Sequence, residues 1–347
     1  MAHDCWGVWH LRKNMKVAFL LFSLLTAALV WPGVQEAAPS SSFSETRSLD
    51  LEKRFLCDKN GSALPILFTG IRTSAYATLQ KDVAATLWLP ALPHSKQEEL
   101  GDGRYGKRWG SCSDPHPGLV AEFMPGLIHR TQNARDLISI YGPMRKELVF
   151  LLGLREPFRR LFSNYLSEKK RGYRQSPTFE DLVAYVMMAF FLNQTKLERN
   201  ATSKDEQLVE AGLYHYQIRS FLSAGFLPSQ FIIYPNDLYF QHRGDMDANP
   251  VLQAVRNKLG NNLLRPPENR ATSAPVETPG DEITLEKGCA HAELRQLIRD
   301  QVFAPANKKL VELLAEQVGK GMVLVGYKGE ANDVAAVNEW LTSSWGS

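Results

Sequence analysis

Leu148-Val-Phe-Leu-Leu-Gly-Leu-Arg155-Glu-Pro157-Phe-Arg-Arg160-Leu-Phe-Ser163-Asn-Tyr165 is the stretch whose reading decides the fold. The apolar run Leu148 to Leu154 has no polar alternation, so it predicts a strand covered on both faces, as in a parallel sheet. Arg155 stands at its carboxyl end. Pro157 suits the first position of a helix, and an amphipathic pattern then continues to about Lys170. Ser163 falls about two helical turns along. A guanidinium and a hydroxyl converging at the end of a strand suit a phosphate, because arginine offers a bidentate fork and serine a further donor. The alternative is a basic helix face with no ligand.

Outward from this unit, Leu64 to Phe68 predicts another strand, Thr69 to Ser74 a turn, and Ala75 to Leu89 a helix. Pro90 to Gly118, with its Gly, Pro and Ser clusters, predicts an irregular excursion. Helical periodicity returns at Thr178 to Phe191 and at Tyr214 to Leu222, and Phe231 to Tyr234 predicts a third strand. Arg265 to Asp281, with four prolines, predicts a long loop. Ala292 to Val318 has helical periodicity interrupted at Pro305. Strands alternating with helices imply an α/β fold, a central parallel sheet flanked by helices, with ligands at the carboxyl ends of the strands.

The chain has 347 residues, enough for one large domain or two at ~150 residues each. Forty Lys and Arg against 37 Asp and Glu leave a net charge of +3, with 44% hydrophobic and 22% charged residues. Those totals exclude bulk disorder and argue against a nucleic-acid binder. Four cysteines without a CxxC or Cys/His spacing give neither a disulfide framework nor a zinc site.

Val17 to Trp31 is an almost uninterrupted apolar run behind Arg12, Lys13 and Lys16. It matches either a signal-peptide core or a short membrane anchor. Gln35-Glu36-Ala37 is a poor cleavage site, which favours the anchor. Asn60-Gly-Ser62, Asn193-Gln-Thr195 and Asn200-Ala-Thr202 are glycosylation triplets and support a lumenal or secreted domain. There two of Cys57, Cys112 and Cys289 can pair, and the sequence does not choose among the pairs. The expected organisation is a cytosolic tail and signal or anchor over 1–34, a stem over 35–63, a domain over 64–330 and a C-terminal tail over 331–347.

Arg155, Pro157, Arg160, Ser163 and Tyr165 behind an apolar strand resemble the Arg-x-Pro-x-x-Arg-x-x-Ser-x-Tyr motif of sulfotransferases. These enzymes use 3'-phosphoadenosine 5'-phosphosulfate (PAPS), and the resemblance is to the membrane-bound Golgi enzymes that act on glycans such as heparan sulfate. It implies a P-loop-NTPase-like sulfotransferase fold, with Arg155 and Ser163 on the donor's 3'-phosphate. Lys287-Gly288-Cys289, followed by Pro305 and Asn307, is similar to the family's Lys-Gly-Arg loop and the helix after it. This implies donor contacts at Lys287 and Gly288, with Cys289 in place of the arginine.

Gly70-Ile-Arg72-Thr73-Ser74-Ala75-Tyr76 stands where the family's 5'-phosphosulfate loop is expected. The resemblance assigns Gly70, Arg72, Thr73, Ser74, Ala75 and Tyr76 to the donor. Thr73 replaces the catalytic Lys or Arg, while Ala75 and Tyr76 replace Gly and Thr, so Arg72 is the residue expected to carry the catalytic charge. The family's base is a Glu some two dozen residues on, which implies Glu98 ahead of Glu99, with His94, His116 and Glu122 as rivals. Gly212-Leu-Tyr214 and Phe231 to Leu238 resemble a family helix and strand that are mostly structural.

The expected function is sulfuryl transfer from PAPS to a hydroxyl or amine of a glycan, without a metal, by a Golgi membrane protein with its domain in the lumen, or by a secreted one. The other readings are a glycan-binding protein that kept the fold and lost catalysis, and a nucleoside-triphosphate enzyme. The last is disfavoured because no Gly-x-x-x-x-Gly-Lys-[Ser/Thr] occurs.

Overall fold

The structure is a computed structural model that describes residues 66–69, 120–123, 131–170, 172, 178–192, 204–242, 245, 247–259, 293 and 296–345. The described residues form a parallel sheet of β1 (Ile66–Thr69), β2 (Val120–Phe123), β3 (Leu148–Leu154), β4 (Phe231–Pro235) and β5 (Val323–Leu324). Their order is β2-β1-β3-β4-β5. The helices are α1 (Thr131–Tyr141), α2 (Pro157–Lys170), α3 (Phe179–Leu192), α4 (Lys204–Glu210), α5 (Tyr214–Ser223), α6 (Asn236–Gln241), α7 (Pro250–Leu259), α8 (Ala304–Val318) and α9 (Val334–Ser344). The α/β class and the flanked parallel sheet are therefore as expected.

β3 is central because all seven of its residues are buried. Period-two geometry sends alternate side chains to opposite faces. Leu148, Phe150, Leu152 and Leu154 join a core with α1, α5, α8 and α9, and Val149 and Leu151 join one with β4, Tyr239 and α7. A third cluster packs Phe158, Leu161 and Tyr165 of α2 against α3, α4 and the start of α8. Gly153 is required by close approach: a Cβ there would lie 2.7 Å from the Tyr234 hydroxyl.

The chain leaves β1 for β2 on one side and returns to β3 on the other. This strand order reverses between β1 and β3, and open α/β sheets bind ligands outside the carboxyl ends of the strands at such a point.

The expected ends of β3 and α2 coincide with the observed ones, and the other predicted elements that are described shift by a residue or two. β1 is Ile66–Thr69 rather than Leu64 to Phe68. The helical pattern before Val318 divides differently from the expectation. A π-helical turn, Arg299–Phe303, precedes α8, and Pro305 lies in the first turn of α8 rather than breaking it. One boundary needs correction. The tail expected over 331–347 is, across its described residues 331–345, part of the domain, because α9 buries Val337, Trp340 and Leu341 and is followed by buried Trp345, all in the core beneath β3. Among the described residues no helix is long and apolar enough to cross a membrane. The apolar run 17–31, the stem, the three glycosylation triplets, the four cysteines and the loop 265–281 lie outside the described residues.

Candidate phosphate-binding site at the carboxyl ends of β3 and β4

β3 ends at Leu154 and presents Arg155, half-buried, next to the strand-order reversal. Its main chain is locked by a single phenol. The Arg155 N–H donates to the Tyr214 hydroxyl at 3.1 Å, and that hydroxyl donates to the Arg155 carbonyl at 2.8 Å. Tyr214 is 1% exposed, and both bonds are partly buried. It opens α5 close to α2, which Gly212 permits: a Cβ there would lie 3.0 Å from the Phe303 ring and 3.2 Å from the Pro157 Cβ.

Glu156 caps α2. Its main-chain carbonyl accepts from the Arg160 N–H at 2.9 Å, and Oε2 accepts from the Arg159 N–H at 2.7 Å. Its Oε1 accepts from Arg299 Nε at 3.2 Å, which ties α2 to the π-helical turn. With Pro157 at the first helical position, where no N–H is needed, Glu156 satisfies the N–H groups of Arg159 and Arg160.

The two arginines of the motif therefore have different environments. Arg160 is 1% exposed, with its guanidinium carbon 5.2 Å from the centroid of the Tyr214 ring. It is a cation–π element of the fold. Arg155 remains half-buried at the strand end, and Ser163 is half-buried on α2.

Asp237, in the first turn of α6, reaches the same region from the carboxyl end of β4. Its Oδ2 lies 4.0 Å from Arg159 Nη1. Burial pushes the Asp237 carboxyl above its ordinary range, while the charges of Arg159 and then Arg155 pull it back. Two guanidinium groups and one carboxylate thus share the edge of the sheet where β3 and β4 end. An arginine fork and a serine hydroxyl there suit an anion with several acceptor oxygens.

Arg155 directly follows β3 and Ser163 lies on α2. Gly70, Arg72, Thr73, Ser74, Ala75, Tyr76, Glu98, Lys287 and Gly288, with the rivals His94 and His116, lie outside the described residues. β1 ends at Thr69, the residue before Gly70. Glu122 is in β2, in register with Phe68. Sequence reading missed the clamp made by Tyr214, the cap made by Glu156, and the Arg159–Asp237 pair. Helical spacing does contain one usable signal, since Arg159 and Ser163 are one turn apart on a single face. Among the described residues no group of His, Cys, Asp and Glu could hold a metal ion.

No family model matches the chain, and no curated protein matches it. Among solved structures it is similar to the crystal structure of a sulfotransferase from Alicyclobacillus acidocaldarius, with 14% sequence identity and a TM-score of 0.45. The match covers 73% of this chain and 96% of that one.

Proposed function

We propose that this chain is a sulfotransferase that binds PAPS by its 3'-phosphate at Arg155 and Ser163 and transfers the sulfuryl group to a hydroxyl or amine of a glycan. The observation that carries the reading is the placement of Arg155. It stands at the strand-order reversal, with its main chain fixed on both sides by Tyr214. A guanidinium on a fixed main chain loses less freedom on binding than one on a mobile loop, which favours a specific anion site.

The donor supplies an activated sulfuryl group on its 5'-phosphate. The protein's part is to hold the nucleotide, remove the acceptor's proton and stabilise charge on the leaving phosphate. Arg155 and Ser163 do the holding. Arg72 is assigned the charge near the leaving oxygen, and Glu98 accepts the acceptor proton. A bond forms from the acceptor oxygen or nitrogen to sulfur, the bond from sulfur to the 5'-phosphate oxygen breaks, and 3'-phosphoadenosine 5'-phosphate leaves. None of these steps calls for a metal. Lys287 and Gly288 complete the donor site in this reading. The glycan acceptor, the N-terminal membrane anchor and the Golgi lumen belong to the same proposal, and their support is the apolar run 17–31 with the three glycosylation triplets that follow it.

A second reading has specific support: Thr73, Ala75, Tyr76 and Cys289 depart from the family pattern, as in a glycan-binding protein that has lost turnover. Calorimetric titration of the full chain with 3'-phosphoadenosine 5'-phosphate tests the donor site without knowledge of the acceptor. Micromolar binding is expected, and Arg155→Ala should abolish it because the bidentate contact is lost. Equal affinity in that variant would sink the assignment. Binding without sulfuryl transfer to any glycan offered would favour the second reading.

A further inference from the structure

We propose that Arg159 is a third ligand of the anion held by Arg155 and Ser163, and that Asp237 is the counter-ion it leaves when the anion binds. This rests on reading the site as one for an adenosine 3'-phosphate. Arg159 precedes Ser163 by four residues, one helical turn, so the two side chains share a face of α2, which begins two residues after Arg155. Arg160, which the sequence motif also contains, does not take this role because it is 1% exposed with its guanidinium over the Tyr214 ring. Arg159 has a side chain 37% exposed and points its guanidinium toward α6.

The Arg159–Asp237 pair suits a resting contact. At 4.0 Å it is longer than a hydrogen bond, and its partners are 37% and 40% exposed. Exposed pairs of this kind contribute little stability. A phosphate offers shorter, charge-assisted bonds in bidentate geometry. Asp237 lies in the field of both arginines. An anion entering between them therefore meets two guanidinium groups and one opposing carboxylate. Turning Arg159 from Asp237 to the phosphate adds a contact and draws the cation toward the new charge. Asp237 limits affinity in this arrangement and supplies selection, since an anion that cannot engage both arginines does not outweigh its repulsion.

The test is titration of the full chain with 3'-phosphoadenosine 5'-phosphate and with adenosine 5'-phosphate, which lacks the 3'-phosphate. Arg159→Gln should weaken the first by about tenfold, the loss expected for one charge-assisted bond, and leave the second unchanged. Arg159→Lys should recover part of the affinity, and Asp237→Asn should bind the 3'-phosphorylated nucleotide several-fold more tightly. If Arg159→Gln and Asp237→Asn both bind like the wild type while Arg155→Ala does not bind, the inference is overturned and the donor site stands. Equal weakening of both nucleotides by Arg159→Gln would also overturn it, since the contact would then lie away from the 3'-phosphate. If the folded wild type binds neither nucleotide, the donor reading fails, and inorganic phosphate becomes the probe. A rise in Tm with phosphate that Arg159→Gln removes would uphold the anion contact, and no rise would overturn it.

Discussion

At the scale of single residues, the Tyr214 hydroxyl carries more of the site than its position in the sequence suggests. It accepts from one side of the Arg155 peptide and donates to the other, at 3.1 and 2.8 Å. Its ring also lies against the Arg160 guanidinium. Tyr214→Phe keeps the ring and removes both hydrogen bonds, leaving two polar main-chain groups to find other partners. The expected cost is about 1–3 kcal/mol, the penalty for unsatisfied buried groups. Nucleotide affinity should fall with it, because Arg155 is no longer fixed in direction. Denaturant unfolding and calorimetric titration of the same variant check both. A folded variant with lower stability and unchanged affinity would make the phenol a support of the fold alone. Sequence reading treats this tyrosine as core packing because aromatic spacing on a helix reports burial and not hydroxyl partners. The clamp joins residues 59 positions apart, and no local pattern encodes such a contact.

At the scale of elements, the legible pieces are those whose signals are local. β3 and α2 are readable to the residue because an unbroken apolar run, an arginine and a helix-initiating proline follow one another without ambiguity. α9 is not readable in this way. It is short, it lacks a long apolar stripe, and it lies beyond the last motif, so only its packing reveals its role. Asp333 caps it by accepting from the Ala336 N–H at 2.9 Å. Trp340 reaches the core and donates its indole N–H to the Val325 carbonyl at 3.0 Å, which fixes the helix to the end of β5. Trp340→Ala removes a large side chain that is 8% exposed. It should lower stability by about 3–5 kcal/mol, as large-to-small core substitutions do. A chain ending at residue 330 should fail to fold, because α8 would lose the cover provided by Val337, Leu341 and Trp345. Urea unfolding of the point variant is the direct measurement, and a loss below 1 kcal/mol, roughly that of a surface change, would return α9 to the status of a tail.

At the scale of the whole molecule, the parallel sheet places the end of β1, Arg155 and Asp237 along one edge, and this common direction makes distant segments one site. The described residues also hold a buried histidine whose ionisation links global stability to pH. His215 on α5 is 1% exposed, and both of its ring nitrogens are buried without a hydrogen-bond partner. Burial, then the charges of Lys309 on α8 and Arg219 on α5, push it down to about 4 from the ordinary 6.5. Between those values the unfolded chain binds a proton that the folded chain refuses. Stability from this group is therefore complete above pH 6.5, falls as the pH is lowered through the window, and levels off below pH 4. At pH 5 the loss amounts to about 2 kcal/mol relative to neutral pH. His215→Phe fills a similar volume and carries no proton, so the stability difference between pH 7.5 and pH 5 should shrink by about that amount relative to the wild type. Denaturant midpoints for both proteins at the two pH values measure it. An undiminished difference would mean that His215 is protonated in the folded chain, with its positive charge tolerated beside Lys309 and Arg219. The carboxylates would then carry the acid sensitivity of the molecule.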